Sequence, residues 1–308
     1  MDTHRLWHTA ALVACISLWG CRSEPAFPVD LTLTPIQGTA AMPAAPILWV
    51  TPEAIYLSQE EGAPGTAQGT EDVELKHILD LKSGRIPPAL KQNPEEKHNP
   101  VVPLMAALDD HRNKIRAEPN SIFSGDLNLF LHPLTSYETL GLVVYTAGMA
   151  QFSVTGFAVG TPGAVGLVPL HTPAAGDGVL NCFTRPDDAP PVSADSEECL
   201  QLVVSIHDDG FRVKEEGTLR VKRPVAIIPR GSGPQKAYDY EALYQVLKTR
   251  RHHVSVDDFS NSLYVGAEPH IPNSILVRTI DLCQVPRPLK PGGPPEPLFE
   301  RAYITWID

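Results

Sequence analysis

The chain contains an internal repeat, and this repeat restricts its fold more than any other feature. The stretch beginning at Leu127 corresponds to the stretch beginning at Leu263, 136 positions later, without a gap through the following helix. Alternating apolar residues predict a half-buried strand in each copy, and apolar residues three and four apart then predict one helix face. The matched positions are Leu127, Leu129 and Leu131 with Leu263, Val265 and Ala267; Pro133 with Pro269; and Leu140, Val143, Val144 and Ala147 with Leu276, Thr279, Ile280 and Cys283. Chance similarity between unrelated domains is the less favoured interpretation.

Local signals place the ends of these two helices. Thr135 and Glu138 form a capping-box pattern, which predicts the start of the first helix, and Gly148 is placed to end it. Pro272-Asn273 predicts the start of the second helix.

A further helix precedes the repeat in each copy. Its apolar stripes are Val101, Leu104, Met105 and Leu108 in the first copy and Tyr240, Leu243, Tyr244 and Leu247 in the second. Extended stretches at 47–57 and 200–213 come before them, and apolar strands at 152–159 and 302–307 end each copy. Each copy therefore reads strand, helix, strand, helix, strand over about 100 residues. The predicted fold class is α+β, with two tandem small domains whose helices pack on a mixed sheet.

The N-terminus has the pattern of a secretion signal. The apolar run 6–19 has the length of a signal-peptide core and is too short to span a bilayer comfortably. Residues 1–20 resemble a bacterial lipoprotein signal peptide, with Leu18 and Gly20 before the cleavage point and Cys21 as the lipid acceptor. An ordinary signal peptide and an uncleaved anchor are the alternatives.

The remaining chain divides into four segments. Residues 21–46 are rich in Pro and Ala and are predicted to be a tether, 47–160 a first domain, 161–199 a linker and 200–308 a second domain. The predicted location is the bacterial cell envelope, lipid-anchored and facing the periplasm. Arg22 follows the lipid acceptor where inner-membrane lipoproteins carry Asp, which slightly favours the outer membrane.

Charge excludes one class of partner. Lys and Arg number 25 against 36 Asp and Glu, a net charge of −11. A nucleic-acid groove needs clustered positive charge, which this sequence lacks, so nucleic acid is not expected as a partner.

The five cysteines fit an exported protein. Cys15 would leave with the signal, and Cys283 matches Ala147 on a predicted buried helix face. Cys182 and Cys199 bracket the acidic stretch between the two copies and are candidates for a disulfide in an oxidising compartment. Two reduced thiols are the alternative.

The second copy has Asp209-Gly210-Phe211 in a predicted hairpin, Glu268-Pro269 after a strand, and Leu276, Ile280 and Asp281 in a helix. At these positions it resembles the periplasmic domain of the ExbD/TolR biopolymer-transport family. The first copy matches more loosely at Thr51-Pro52-Glu53-Ala54-Ile55-Tyr56, at His132-Pro133, and at Tyr137, Leu140 and Val144. The resemblance covers roughly two-thirds of the chain.

The resemblance implies a soluble module that dimerises and, in some members, contacts peptidoglycan. Family members also carry a membrane-spanning helix with an Asp that takes part in proton-driven motion. Here the apolar run 6–19 is too short and has no acidic residue, so proton coupling is not carried over. Two copies on one chain suggest an internal pseudo-dimer rather than an obligate homodimer.

Catalytic patterns are sparse. His207-Asp208-Asp209, and His252-His253 with Asp257-Asp258, are the densest polar clusters, and either set offers metal-ligand types. Solvated turns are the favoured interpretation, so neither a catalytic residue nor a metal ligand is assigned, and no cofactor is expected. Asp208-Asp209-Gly210 reads as a hairpin turn.

The sequence thus predicts a non-enzymatic envelope lipoprotein that binds or scaffolds, related to ExbD/TolR-type transport systems. Its expected partners are an ExbB/TolQ-like motor or the cell wall. A metal-dependent envelope enzyme that uses the His/Asp clusters and a peptidoglycan-anchoring module are the alternatives.

Overall fold

The computed structural model describes residues 33–36, 40–58, 75–96, 99–119, 121–161, 164–171, 201–216, 225–231, 237–251, 262–289 and 292–307. They form two mixed sheets and four helices, so the predicted α+β class with tandem units is confirmed. We call the part up to residue 171 the first unit and the part from 201 the second unit.

The first unit contains six strands and two helices. The strands are β1 (Ile47–Val50), β2 (Ala54–Ser58), β3 (Leu75–Asp80), β4 (Asp126–Leu131), β5 (Ser153–Thr161) and β6 (Ala164–Pro169), and the helices are α1 (Val102–Ala117) and α2 (Tyr137–Met149). The strand order is β3-β2-β1-β4-β5-β6, with β1, β4 and β5 parallel to one another. A short 3-10 turn, Pro88–Leu90, precedes α1.

The second unit contains a five-stranded sheet and two helices. Its strands are β7 (Gln201–His207), β8 (Gly210–Glu216), β9 (Ala226–Pro229), β10 (Ser262–Ala267) and β13 (Arg301–Ile304), and its helices are α3 (Tyr240–Arg251) and α4 (Asn273–Gln284). A two-residue ladder, β11 (Arg287–Pro288) with β12 (Pro295–Glu296), lies between α4 and β13. The strand order is β9-β8-β7-β10-β13, with β7, β10 and β13 parallel.

The two sheets share one topology. The order β3-β2-β1-β4-β5 in the first unit reads as β9-β8-β7-β10-β13 in the second, with helices at the same crossovers. The extended stretches that open each copy are hairpins. Ile206 pairs with Phe211 around the turn predicted at Asp208-Asp209-Gly210, and Val50 pairs with Ile55 in the first copy, where no turn was predicted. These hairpins match at an offset of 156 positions, whereas β4 and α2 match β10 and α4 at 136.

The apolar repeat forms the core, as predicted. The alternating residues of β4 and β10 lie on the helix-facing side of each sheet, and the stripes of all four helices pack against them in one continuous cluster. Cys283 is fully buried, and its counterpart Ala147 is as well, so the small apolar role predicted for this thiol is confirmed.

Two predicted helix boundaries were wrong. The N-cap of α2 is Ser136 rather than Thr135, because the Ser136 hydroxyl accepts the hydrogen bond from the Thr139 N–H. Gly148 lies inside α2, and the chain turns out of the helix at Gln151, which adopts a φ of 68°. The predicted entry of α4 at Pro272-Asn273 is confirmed.

Parts of the predicted tether and of the predicted linker belong to the folded first unit. β6 lies within the stretch assigned to the linker and pairs along β5, because Leu167 and Val168 find buried positions there. In the predicted tether, Ala40 exchanges two backbone hydrogen bonds with Leu167, and Leu33 is buried over Trp49 and its neighbours. These contacts were not predicted, because both segments were assigned from a composition rich in Pro, Ala and Gly.

The two units meet through hydrogen bonds that follow the repeat. The Tyr137 N–H donates to the Ile271 carbonyl, and at the positions 136 residues removed the Asn273 N–H donates to the Thr135 carbonyl, each at 2.9 Å. A second such pair joins Glu138 to Pro269 (2.9 Å) and Ser274 to Pro133 (3.1 Å). Ser136 and Pro272 form a bridge at the centre. We call this contact the reciprocal junction.

Side chains reinforce the reciprocal junction on one side. The buried Tyr137 hydroxyl donates to the Thr305 carbonyl, and its ring packs edge-on against Trp306 at 6.0 Å between centroids. Trp306 lies over Gly141 so closely that a Cβ there would sit 2.2 Å from the ring. The segment that follows β13 in the second unit therefore packs on a helix of the first unit.

Among the described residues no helix has the length and apolar character needed to cross a membrane.

Candidate polar site at the strand ends of the second unit

Among the described residues, a group of charged side chains lies where two parallel strands of the second unit end. β7 ends at His207 and Asp208 follows it, while Glu268 follows the end of β10. The Glu268 N–H donates to the Ile206 carbonyl, which continues the β7–β10 pairing and holds the two strand ends side by side. A tight turn closed by the Ile271 N–H and the Glu268 carbonyl then brings His270 back to the same edge.

The side chains at this edge form a chain of hydrogen bonds. His207 Nδ1 lies 2.8 Å from Glu268 Oε1, and His270 Nε2 lies 2.8 Å from Asp208 Oδ2. The Asp208 N–H donates to Glu268 Oε2 at 3.2 Å, and His270 Nε2 is 3.9 Å from that same oxygen. We call Asp208, Glu268 and His270, with His207 behind them, the strand-end cluster.

Burial falls from the base of the strand-end cluster to its rim. The side chain of His207 is 13% exposed, Glu268 is 34% exposed, His270 is 46% exposed and Asp208 is 70% exposed. The cluster is therefore anchored in the fold at His207 and open to solvent at Asp208.

Arg212 fixes the orientation of His207. Its Nη1 lies 3.2 Å from His207 Nδ1 and 3.3 Å from His207 Nε2, and its Nη2 pairs with Asp209 Oδ2 at 3.1 Å. An ionised carboxylate only accepts, so the hydrogen bond between His207 Nδ1 and Glu268 requires the proton on Nδ1.

An aromatic wall supports the base of the site. The Tyr238 hydroxyl donates to the His207 carbonyl at 2.9 Å, and the Tyr238 ring packs against Phe211 at 5.0 Å between centroids. The guanidinium of Arg230 stacks over that ring at 4.1 Å. Burial raises the pKa of Tyr238, and the carboxylates of Asp208 and Glu268 act in the same direction against the opposing effect of Arg230.

The hairpin turn next to the site is held by its glycine, as the sequence predicted. Gly210 has a φ of +142°, and a Cβ at this position would lie 2.1 Å from the Ile228 carbonyl oxygen. The Arg230 N–H, just after β9, donates to the Asp209 carbonyl in this turn. Asp209 and Gly210 therefore shape the turn that presents Asp208.

The other predicted motif positions are distributed over the fold. Pro269 contributes its carbonyl to the reciprocal junction, as does Pro133, and Tyr137 is buried there. His132 follows β4, and its Nδ1 accepts the Leu134 N–H at 3.2 Å. None of these three residues of the first unit belongs to the strand-end cluster.

Asp281 lies on α4 apart from the strand-end cluster. Burial raises the pKa of this carboxyl to about 6, and Arg287 only partly opposes the effect. Its Oδ1 is enclosed without a hydrogen-bond partner, which leaves the charged form poorly solvated.

The remaining candidates lie outside the described residues. These are the lipid acceptor Cys21, the candidate disulfide Cys182 and Cys199, and the cluster His252, His253, Asp257 and Asp258.

Sequence reasoning found part of the strand-end cluster and missed His270. His207-Asp208 and Glu268-Pro269 were singled out separately, as a polar turn and as a family motif. A usable signal was present, since both pairs directly follow the strands of the repeat and adjacent parallel strands end at one edge. His270, two residues beyond Glu268, belongs to the same edge.

Comparisons with known proteins give this chain no relatives. No family model matches it, and neither a curated protein nor a solved structure does. The resemblance to the ExbD/TolR family therefore stays a prediction.

Proposed function

We propose that this chain is a non-enzymatic binding or scaffolding component of a bacterial cell envelope, related to ExbD/TolR-type transport systems and anchored by a lipid at Cys21. The observation that carries the proposal is the reciprocal junction. In each of its two pairs of backbone hydrogen bonds, the first unit donates one bond and the second unit donates the other. The two donors are 136 positions apart, and so are the two acceptors. This is the arrangement expected of two protomers related by a twofold axis.

An internal pseudo-dimer fits the family resemblance. The resemblance implies a soluble domain that dimerises. One chain with two copies of that domain would supply both protomers. The motif residues Asp209-Gly210 lie at the hairpin turn and Pro269 lies at the reciprocal junction, where they shape the backbone. Such positions support a structural role, as expected of a scaffold.

A strand edge of the second unit offers a binding surface. Among the described residues β9 pairs with β8 alone, and Ile227 is 67% exposed on it. An edge strand can accept an extended segment of another protein through main-chain hydrogen bonds. We propose this edge as the docking site for an envelope protein of an ExbB/TolQ-like motor, with cell-wall peptidoglycan as the alternative ligand.

Affinity capture from bacterial envelopes tests the proposal. We expect the full-length chain to recover an ExbB/TolQ-like membrane subunit, and Ile227→Lys to lose it, because a charge on an edge strand disfavours strand addition. Ile122→Lys is the matched control, since Ile122 is 89% exposed in a loop before β4. Recovery of peptidoglycan fragments supports the anchoring alternative, and recovery of neither contradicts the proposal.

Intact-mass measurement tests the anchor separately. Cleavage before Cys21 with acylation gives a distinct mass, and Cys21→Ser abolishes it. An unmodified or uncleaved N-terminus contradicts the lipid anchor while leaving the binding proposal standing.

A further inference from the structure

The geometry points to a divalent-metal site in the second unit: we propose that Asp208, Glu268 and His270 bind a zinc ion, with His207 holding Glu268 in position. The proposal is independent of the scaffolding function, because it rests on the strand-end cluster and not on the reciprocal junction. It commits to one nitrogen ligand, two carboxylate ligands and a fourth position open to water.

The ligand atoms are already close to the spacing that zinc requires. One ligand atom from each of the three residues lies within 4.8 Å of the other two. His270 Nε2 is 2.8 Å from Asp208 Oδ2 and 3.9 Å from Glu268 Oε2. Ligands bonded at about 2.0–2.1 Å in a tetrahedron are roughly 3.3 Å apart. The two distances from His270 bracket this value and the Asp208–Glu268 pair lies within 4.8 Å, so side-chain rotations that move the ligand atoms by about an ångström bring them into place.

The backbone holds the ligands in fixed positions. Asp208 and Glu268 follow adjacent parallel strands, and His270 is returned to the same edge by the turn that the Ile271 N–H closes. Ligands on strand ends and a tight turn lose little freedom on binding a metal. This placement also mixes an imidazole with carboxylates, the ligand types found in zinc sites with an open position.

A hydrogen bond behind the ligands adds the support that metal sites use. His207 is mostly buried and donates from Nδ1 to Glu268 Oε1, which leaves Glu268 Oε2 turned toward His270. Partners of this kind orient the ligand and raise its affinity for the metal.

The charge around the cluster also favours a cation. The two carboxylates converge within 4.8 Å, and the nearby arginines are directed to other partners. Arg212 pairs with Asp209, and Arg230 stacks on Tyr238. A dication between the two carboxylates removes their mutual repulsion.

The first unit shows that the fold does not require this cluster. The same backbone hydrogen bond that ties Glu268 to Ile206 ties His132 to Val50, so His132 occupies the position of Glu268. The position of His270 is taken there by Leu134. Because the same strand ends form with these residues, the ligand set of the second unit is not explained by folding.

Zinc affinity of the purified, chelator-stripped full-length chain tests the proposal. Zinc alone is the probe, measured by competition with a chromophoric chelator at pH 7.5, and cobalt is the spectroscopic substitute. We expect one zinc bound through this site, and at least a tenfold loss of affinity in His270→Ala and in the isosteric variant Glu268→Gln. We also expect His207→Ala to weaken binding less than either ligand variant.

Two control variants locate the metal. His77→Ala removes an exposed histidine that lies 2.9 Å from Asp80, a similar pair in the first unit that has no third ligand among the described residues. The double variant His252→Ala/His253→Ala removes the other histidine cluster. We expect both controls to keep the wild-type affinity.

Three results overturn the proposal. The first is the absence of zinc binding at about 100 μM free metal, far above the range of a specific site. The second is wild-type affinity in a folded His270→Ala or a folded Glu268→Gln variant. The third is loss of zinc in the His252→Ala/His253→Ala double variant with retention in His270→Ala. Circular dichroism of each variant identifies any that fails to fold, and a folded Glu268→Gln is sufficient to decide.

Discussion

The two units end the same pair of parallel strands with different chemistry. At the positions of the strand-end cluster the first unit has one titratable side chain, His132, whereas the second unit has four. The equivalent pairs are Thr51 with His207, Pro52 with Asp208, His132 with Glu268, and Leu134 with His270.

The backbone at these strand ends is the same although the side chains differ. The N–H groups of His132 and Glu268 donate to the carbonyls of Val50 and Ile206, and the turns that follow close at 3.0 Å in both units. Main-chain hydrogen bonding therefore fixes this part of the fold, and the side chains are left to vary. Because the fold does not require the charged side chains of the second unit, a function is the better explanation for them.

The largest expected effect separates the two hairpin turns. Gly210→Ala places a Cβ 2.1 Å from a backbone carbonyl at a φ that L-residues rarely adopt. We expect a loss of about 3 kcal/mol or more in unfolding free energy, measured by chemical denaturation, because backbone atoms must move to relieve the clash.

The equivalent turn of the first unit provides the control. Ala54 occupies the position of Gly210 without a positive φ, so Ala54→Gly should cost only about 1 kcal/mol. Equal losses in the two variants would contradict the view that the turns differ in backbone conformation.

An intermediate effect tests whether the units unfold together. Leu104 on α1 and Leu243 on α3 are equivalent and fully buried in one continuous core. We expect Leu104→Ala and Leu243→Ala each to lower the unfolding free energy by about 3 kcal/mol. Since the reciprocal junction joins the units, each variant should shift one common transition in calorimetry. Two separate transitions, each moved by one variant alone, would show that the units are independent.

The smallest effect distinguishes two carboxylates by pH. Burial raises the pKa of Asp281 to about 6, above its ordinary value of 3.8. Its favourable contribution is therefore fully present below pH 3.8 and is lost as the pH rises through 6. Asp281→Asn cannot ionise, so we expect it to be more stable than the wild type by about 1 kcal/mol at pH 8, after discounting for partial exposure. Below pH 4 the two should coincide.

A carboxylate of the first unit should behave in the opposite sense. Lys114 and Lys76 lower the pKa of Asp110, so its contribution is present above the ordinary pKa and lost as the pH falls. Asp110→Asn should therefore be less stable than the wild type at neutral pH. Equilibrium unfolding across pH 3–8 checks both variants, and a common sign would contradict the assigned environments.

The sequence predicted the parts of the fold that periodicity determines. Leu127, Leu129 and Leu131 lie in a buried strand, and the 136-residue offset extends to the burial of Cys283. A repeated pattern of apolar residues predicts which residues form the core, because the apolar positions of a strand or helix are the ones that become buried.

Features fixed by long-range contacts were not predictable in this way. The strand β6 was assigned to a linker because the stretch 160–166 is rich in Gly, and only pairing with β5 makes it a strand. The N-cap at Ser136 was missed because Thr135, one residue earlier, fits the capping pattern equally well. Three of the four residues of the strand-end cluster, His207, Asp208 and Glu268, were noted separately, but their meeting depends on which strands are neighbours.

The reciprocal junction changes how this assembly responds to dilution. Two separate protomers dissociate as their concentration falls, whereas halves joined by a covalent chain meet at an effective concentration of about millimolar or more, which dilution leaves unchanged. Fusing the two copies thus converts a second-order encounter into a first-order docking step. Once the two halves belong to the same polypeptide, each is also free to change independently, which identical partners encoded by one sequence cannot do.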